Sequence, residues 1–514
     1  MAGVTIDGSS LTIDQVIAVA RNNARVRIAQ EALTRMSRTR RILERLVQDN
    51  RLVYGVNTGF GALSNVKIAN EQLSSLQSNL IRSHAASVGE PHSTDVVRAI
   101  MLLRANTLLK GSSGIRREIP LLIVALLNKR IHPIVPQRGS VGASGDLSPL
   151  SHIGLVLIGE GTAEYRGRVI SGKSALRVAR QTLLQLEAKE GLAINNGTQQ
   201  MVGVGSLCLR DSYSLLLTEE AALSLSLEGI NGWIDAFDER IHKLRPHPGQ
   251  GDVANQVRRL LEGSRLVRSL TEGRSIEGRP QDPYSFRCAP QVMGASKDLL
   301  DFARNTLEIE MNSATDNPLL FPRERVCLSG GNFHGQPVAV ALDMICLAIS
   351  TMANICERRI SATLDPAFNN GLPAFLVGKR SKPGLSSGLM AVQYTAASLV
   401  GESKLLTHPA SSDSIPTSSN FEDFVSMGPG AAHKARSVLE NSQYVVSIEL
   451  LTACQAIYLR GPQRQGKGTR KVYETIRRFV PPLSDDRPIH ADIERIRTIV
   501  KAGKIAEIVS TVTG

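Results

Sequence analysis

The chain has 514 residues, 42% of them hydrophobic but only 4% aromatic, and a formal net charge of +13, which allows several modules or one large helical body with an aliphatic core. Its basic clusters, Arg38–Arg45 and Arg460–Arg478, carry interspersed apolar residues with Glu44 or Glu474 and lack aromatic interleaving, so they read as solvated helix faces or as attraction for an anionic substrate, with no nucleic-acid partner expected. Six scattered cysteines without a Cys-x-x-Cys pair, an N-terminus with no basic region before an apolar run, and the lack of a polar-free window of about 18 residues argue against a disulfide scaffold, a zinc site, a secretion signal and a membrane span, and for a cytoplasmic protein.

The pattern is helical nearly throughout. Residues 29 to 49 carry Leu33, Met36, Ile42, Leu46 and Val47 among charges, the spacing of an amphipathic surface helix. Gly-Val-Asn-Thr-Gly-Phe-Gly at 55–61 then breaks the pattern, and three glycines imply a loop able to move. Tyr54 precedes it. A phenol there is a candidate base if nearby positive charge or hydrogen bonds pull its pKa below the usual value of about 10, and otherwise a packing tyrosine.

Residues 139–152 read Gly-Ser-Val-Gly-Ala-Ser-Gly-Asp-Leu-Ser-Pro-Leu-Ser-His. Within them, the Gly145 nitrogen can attack the Ala143 carbonyl carbon and close a five-membered ring. Loss of two waters then turns Ser144 into a methylidene electrophile that no standard side chain supplies. Glycine offers the least hindered nitrogen, alanine keeps the ring uncrowded, and the serine hydroxyl is what leaves. Ser148-Pro149 reads as a helix start whose N-terminus would place partial positive charge beside such a ring. The bland alternative is a small-residue turn before a helix. Asn195-Asn196-Gly197-Thr198-Gln199 is a turn, plain or with amides free to bond a ring carbonyl or substrate.

Long helices are expected over 213–240 and 291–315, the second from Leu299, Ala303, Leu307 and Met311. Between them, Gln281-Asp-Pro-Tyr284-Ser-Phe-Arg287 offers a guanidinium that grips a carboxylate through two parallel N–H bonds, or a structural ion pair. Residues 338–356 are apolar on every helical face, with Asp343 the lone charge and read as a structural carboxylate. Such a helix is buried in a large body or an oligomer. Helices are also expected over 387–407 and 431–459, and the irregular stretch 409–430, rich in Ser, Thr, Pro and Asp, is a candidate functional loop. Gly461–Thr469 nearly matches a phosphate-binding loop, but Gly468 stands where a hydroxyl residue must follow the lysine, so no nucleotide is expected. His242 and His247 belong to no His-Glu-x-x-His pattern, so no metal is expected. No repeat or long linker marks a boundary. The chain divides into an N-terminal region, 1–210, with the Tyr54 and Ser144 loops, and a long-helix bundle with C-terminal helices, 211–514.

These stretches, with Ser83-His84-Ala85-Ala86, Asn312–Pro318, Gly330-Gly331-Asn332-Phe333-His334-Gly335 and Glu422–Gly428 in the same order, resemble the aromatic amino acid and histidine ammonia-lyases over nearly the whole chain. The resemblance implies a mainly α, large helical-bundle fold whose N-terminal region bears 4-methylidene-imidazol-5-one (MIO) formed from Ala143-Ser144-Gly145. It implies an enzyme that eliminates ammonia from an amino acid, with Tyr54 taking a β-proton and Arg287 holding the substrate carboxylate. Asn196, Gln281, Tyr284 and Phe333 would line the site in a homotetramer with sites shared between subunits. His84, Met390 and Glu422 look like the histidine-specific branch, in which a carboxylate accepts from an imidazole N–H. Phe421, Phe424 and Asn195 depart from that branch. Histidine ranks first as substrate and tyrosine second, with phenylalanine and an aminomutase outcome left open.

Overall fold

The computed structural model of the chain describes residues 3–49, 51–274, 279–380 and 384–513. As the periodicity predicts, helices dominate; the strands among the described residues are three or four residues long and pair in two- or three-stranded sheets. Gln30–Gln48 is the expected amphipathic helix and buries Ala32, Leu33, Met36, Leu43 and Leu46. Met390–Leu406 and Gly428–Arg460 likewise answer the expected stretches.

The long helix expected at 213–240 instead runs Gln199–Ile230. It stops where Asn231 takes a left-handed φ of 50° and the Gly232 amide returns to the Leu227 carbonyl at 2.8 Å, a left-handed C-terminal turn. Its start was hidden because Gln199 and Gln200 open it with polar side chains, yet both are buried. The helix expected at 291–315 runs Ala289–Glu310. Asn312 lies beyond its end, donating to the Leu11 carbonyl at 2.8 Å and accepting from the Leu11 amide at 2.9 Å.

Gln336–Leu364 contains the all-round apolar segment, and Val338, Leu342, Ile345, Ile349, Met352 and Cys356 are all buried. Burial of each large aliphatic side chain contributes roughly 1.5–3 kcal/mol. Among the described residues this is the one helix long and apolar enough to cross a membrane, and 67% of its most apolar window is buried inside the protein, as in a core helix. Asp343 accepts from the Ser411 amide at 2.8 Å.

The chain forms two compact units. The first comprises Met1–Leu207, Ala303–Asp343 and Pro409–His433, so it adds two later segments to the region that contains the Tyr54 and Ser144 loops. The second comprises Cys208–Phe302, Met344–His408 and Lys434–Gly514. In its interior the fully buried Arg359 bonds Glu449 at 2.6 Å and Glu219 at 2.9 Å. The Gly461–Thr469 stretch follows helix Gly428–Arg460 and enters helix Lys467–Arg477 through a short turn, with no strand before it. Lys467 lies on the surface, paired with Glu262. All six cysteines are free thiols.

Candidate active site

The Ala143-Ser144-Gly145 loop lies in the first unit between strand Pro136–Arg138 and helix Leu147–Leu157, which begins one residue before the expected start. Asp146 does not cap that helix with its side chain. Its carboxylate accepts from the Gln200 and Met201 amides at 2.9 and 3.0 Å, while its own amide donates to the Gly197 carbonyl at 2.6 Å. The loop is thereby tied to the first turn of helix Gln199–Ile230, where unpaired amides favour an anion. Burial pushes the Asp146 carboxyl up to about 7 against those two amides and the Ser140 hydroxyl.

Gly145 has φ +73°, and a Cβ there would meet the Gly197 carbonyl oxygen at 2.2 Å, so only glycine fits. On the facing turn, Asn196 donates from Nδ2 to the Ser144 carbonyl oxygen at 3.0 Å. The Asn196 carbonyl accepts from Arg104 Nη1 at 2.7 Å, and Gln199 Oε1 accepts from the same nitrogen at 2.9 Å. Burial lowers the Arg104 pKa to about 10. Asn195 turns the other way and donates to Ser151 Oγ at 3.1 Å.

A cavity of about 1230 Å³ opens over this loop, lined by residues of the first unit that include Tyr54, His84, Ala143, Ser144, Asn196, Phe333 and Glu422. Ser144 Oγ donates to Glu422 Oε1 at 3.0 Å, and Thr417 Oγ1 donates to Glu422 Oε2 at 2.8 Å. Mutual backbone bonds of Thr417 and Glu422, at 2.9 and 3.2 Å, hold that carboxylate in the irregular segment. His84 Nδ1 lies 3.0 Å from the Leu80 carbonyl oxygen. A carbonyl only accepts, so Nδ1 carries the proton and Nε2 is left as an acceptor in the neutral ring. Burial lowers the His84 pKa, against the Leu80 carbonyl and the Glu422 charge. Phe421 and Phe424 also line the cavity, and the Phe424 ring stacks at 6.0 Å on His334.

The glycine loop expected to move is packed instead. Its residues are largely buried, the Gly55 amide donates to Thr58 Oγ1 at 2.9 Å, and Gln77 Nε2 donates to the Gly55 carbonyl at 3.1 Å. Tyr54 Oη accepts from the Gly61 amide at 3.1 Å. The phenol's pKa is raised, first by burial and then by the Glu422 charge, with the Gly61 amide opposing both. The lowering that a neutral-pH base requires therefore calls for added positive charge or further hydrogen bonds to the phenolate.

Gln281, Tyr284, Arg287 and Met390 belong to the second unit. There Gln281 and Arg287 line a cavity of about 350 Å³ together with Trp233 and Asp282. Arg287 donates from Nε to the Asp282 carbonyl at 3.1 Å and lies 4.4 Å from the centre of the Tyr284 ring, which is 70% exposed. Met390 is half-buried at the start of its helix. Three contributors escaped the sequence reading: Arg104, Asp146 and Thr417. A lone charge in the leucine-rich stretch Met101–Leu109, and a carboxylate directly after the tripeptide, were signals for the first two. Thr417 had none.

The family model for aromatic amino acid lyases matches residues 11–478. The chain belongs to the aromatic amino acid lyase family. This aromatic amino acid lyase is 48% identical over 508 residues to the histidine ammonia-lyase of Caldanaerobacter subterraneus subsp. tengcongensis, covering 99% of the chain and 98% of that relative. Its fold matches tyrosine aminomutase from Streptomyces globisporus with a TM-score of 0.94 at 36% identity, over 99% of each chain. It matches histidine ammonia-lyase from Trypanosoma cruzi with a TM-score of 0.90 at 39% identity, over 99% of this chain and 95% of that one. The helical ammonia-lyase-like fold expected from the motifs is the fold observed.

Proposed function

We propose that this family member is a histidine ammonia-lyase that converts L-histidine to urocanate and ammonia in the cytoplasm, with no metal or nucleotide. The observation that carries the reading is the convergence of Ser144, His84 and Glu422 on one cavity. The Glu422 Oε1 oxygen there accepts a hydrogen bond from an imidazole N–H, whereas a phenyl ring would offer that oxygen no donor. The similarity to histidine ammonia-lyases over nearly the whole chain supports the same substrate.

The loop fits an MIO group formed from Ala143, Ser144 and Gly145. Gly145 has no Cβ to collide with Gly197, and the oxygen that becomes the ring carbonyl is the Ser144 oxygen already served by Asn196. Such a group supplies an electrophilic methylidene carbon that turns the substrate amine into a better leaving group. Asn196 steadies the loop and supplies a fixed donor where negative charge gathers. Tyr54 removes the β-proton, and Phe333 closes one wall.

Arg287 grips the substrate carboxylate, with Gln281, Tyr284 and Met390 beside the substrate. These four come from neighbouring copies in a homotetramer; the exposed Tyr284 ring and the Arg287 guanidinium stacked on it support this. A guanidinium brought to the substrate also adds positive charge that favours Tyr54 acting as a base.

The second reading is a tyrosine lyase or aminomutase. It is favoured by the likeness to tyrosine aminomutase and by the His84 Nε2 acceptor, which suits a phenol. Purified protein incubated with L-histidine, L-tyrosine and L-phenylalanine separates these readings. Conjugated product, seen as rising ultraviolet absorbance, and free ammonia from histidine support the first. β-Amino acid without free ammonia supports a mutase, and no product from any of the three contradicts the lyase reading.

A further inference from the structure

Ser144 Oγ donates to the carboxylate of Glu422 at 3.0 Å. We propose that Glu422 is also the proton carrier that drives the second dehydration when the prosthetic group forms, before it ever meets substrate. This rests on the reading of the tripeptide as an MIO precursor.

The chemistry balances without an oxidant. In the first dehydration a bond forms between the Gly145 nitrogen and the Ala143 carbonyl carbon. The Ala143 oxygen leaves as water with the hydrogens of the Gly145 and Ser144 nitrogens, and a C=N bond to the Ser144 nitrogen remains. In the second, the Ser144 Cα–H and Cβ–Oγ bonds break, the C–H electron pair becomes the Cα=Cβ bond, and Oγ leaves as water. Hydroxide is a poor leaving group, so the departing oxygen must gain a proton as the Cα proton is lost. A single carboxylate that takes up the Cα proton and returns it on Oγ satisfies both needs and ends unchanged.

Glu422 is placed to deliver the proton that Oγ needs as it leaves. Its Oε1 is 3.0 Å from Ser144 Oγ, within proton-transfer reach. Thr417 Oγ1 holds Oε2 at 2.8 Å, which aims Oε1 at the hydroxyl. In the neighbouring carboxylate, Asp146, Oδ2 accepts from the Gln200 and Met201 amides and Oδ1 from Ser140 Oγ at 3.5 Å, so its contacts lie away from Ser144 Oγ. Once Oγ has left, Oε1 loses its partner and faces the cavity, free to take a donor from substrate. One carboxylate would thus serve two reactions in succession.

The test is a time course of intact mass on the full chain made by cell-free synthesis, with folding followed by circular dichroism. The parent is expected to lose two waters. Glu422→Gln is expected to lose the second at least about tenfold more slowly, so that a species one water short accumulates. Glu422→Asp, which keeps the carboxylate, is expected to complete the loss, and Thr417→Val to be slowed less than Glu422→Gln. A Glu422→Gln chain that loses both waters at the parent's rate overturns the proposal. So does one that folds yet stays at full sequence mass, because a merely structural role blocks both steps. If Glu422→Gln does not fold, a Thr417→Val chain that matures at the parent's rate overturns it. A parent that keeps both waters defeats the lyase reading itself, whereas a maturing parent with an indifferent Glu422→Gln defeats this proposal alone.

Discussion

Asn196 Nδ2 donates to the carbonyl oxygen of Ser144 across 3.0 Å, and the two residues face each other from separate turns. The donor is held from behind, because the Asn196 carbonyl accepts from the buried Arg104. Removing one preorganised donor of this kind costs ~10²–10³ in kcat. Asn196→Ala is therefore expected to lower kcat by that order with a smaller change in KM, as steady-state kinetics will show. An unchanged kcat would mean that the contact has no part in turnover.

Tyr54 sits in a setting that raises its pKa, through burial and the Glu422 charge. A base works only when deprotonated, so kcat/KM should climb with rising pH along a limb set by Tyr54. Glu422→Gln removes one cause of the rise and should move that limb to lower pH. Tyr54→Phe should abolish the limb and cost about 10²–10⁴ in rate. Rate profiles against pH for the three proteins check this; a limb that survives in Tyr54→Phe belongs to another group.

Substrate choice should reside in Glu422. For Glu422→Gln, the ratio of kcat/KM for histidine to that for tyrosine is expected to fall, because the imidazole N–H donates to the carboxylate whereas a phenol has the His84 Nε2 acceptor. The ratio cancels any shortfall in matured enzyme. Equal losses for both substrates would remove the imidazole contact from the account.

Helix periods were readable because a buried face repeats locally, as Met36, Leu43 and Leu46 do on Gln30–Gln48. Helix ends were less so: Gln199–Ile230 begins with glutamines whose burial depends on packing with distant segments. The same limit applies to the site. Motifs named Tyr54, His84, Ser144, Asn196, Phe333 and Glu422, which share one cavity. They also named Arg287, which lies in the second unit and lines a different cavity. Thr417 was not singled out because its role rests on its side-chain and backbone bonds to Glu422, which no residue pattern marks.

The second unit offers a stability test. Arg359 is fully buried between Glu219 and Glu449. Arg359→Leu leaves two buried carboxyls without their cation, a change that costs about 3–5 kcal/mol. Denaturant unfolding should show a clearly lower midpoint, and a midpoint equal to the parent's would count against a structural role for this network.

The central claim is that Ala143-Ser144-Gly145 becomes the electrophile of an ammonia elimination. The most direct measurement is the intact mass of the purified protein beside that of Ser144→Ala. The parent is expected to lie two waters below its sequence mass, and Ser144→Ala is not. A parent at its full sequence mass would contradict the claim.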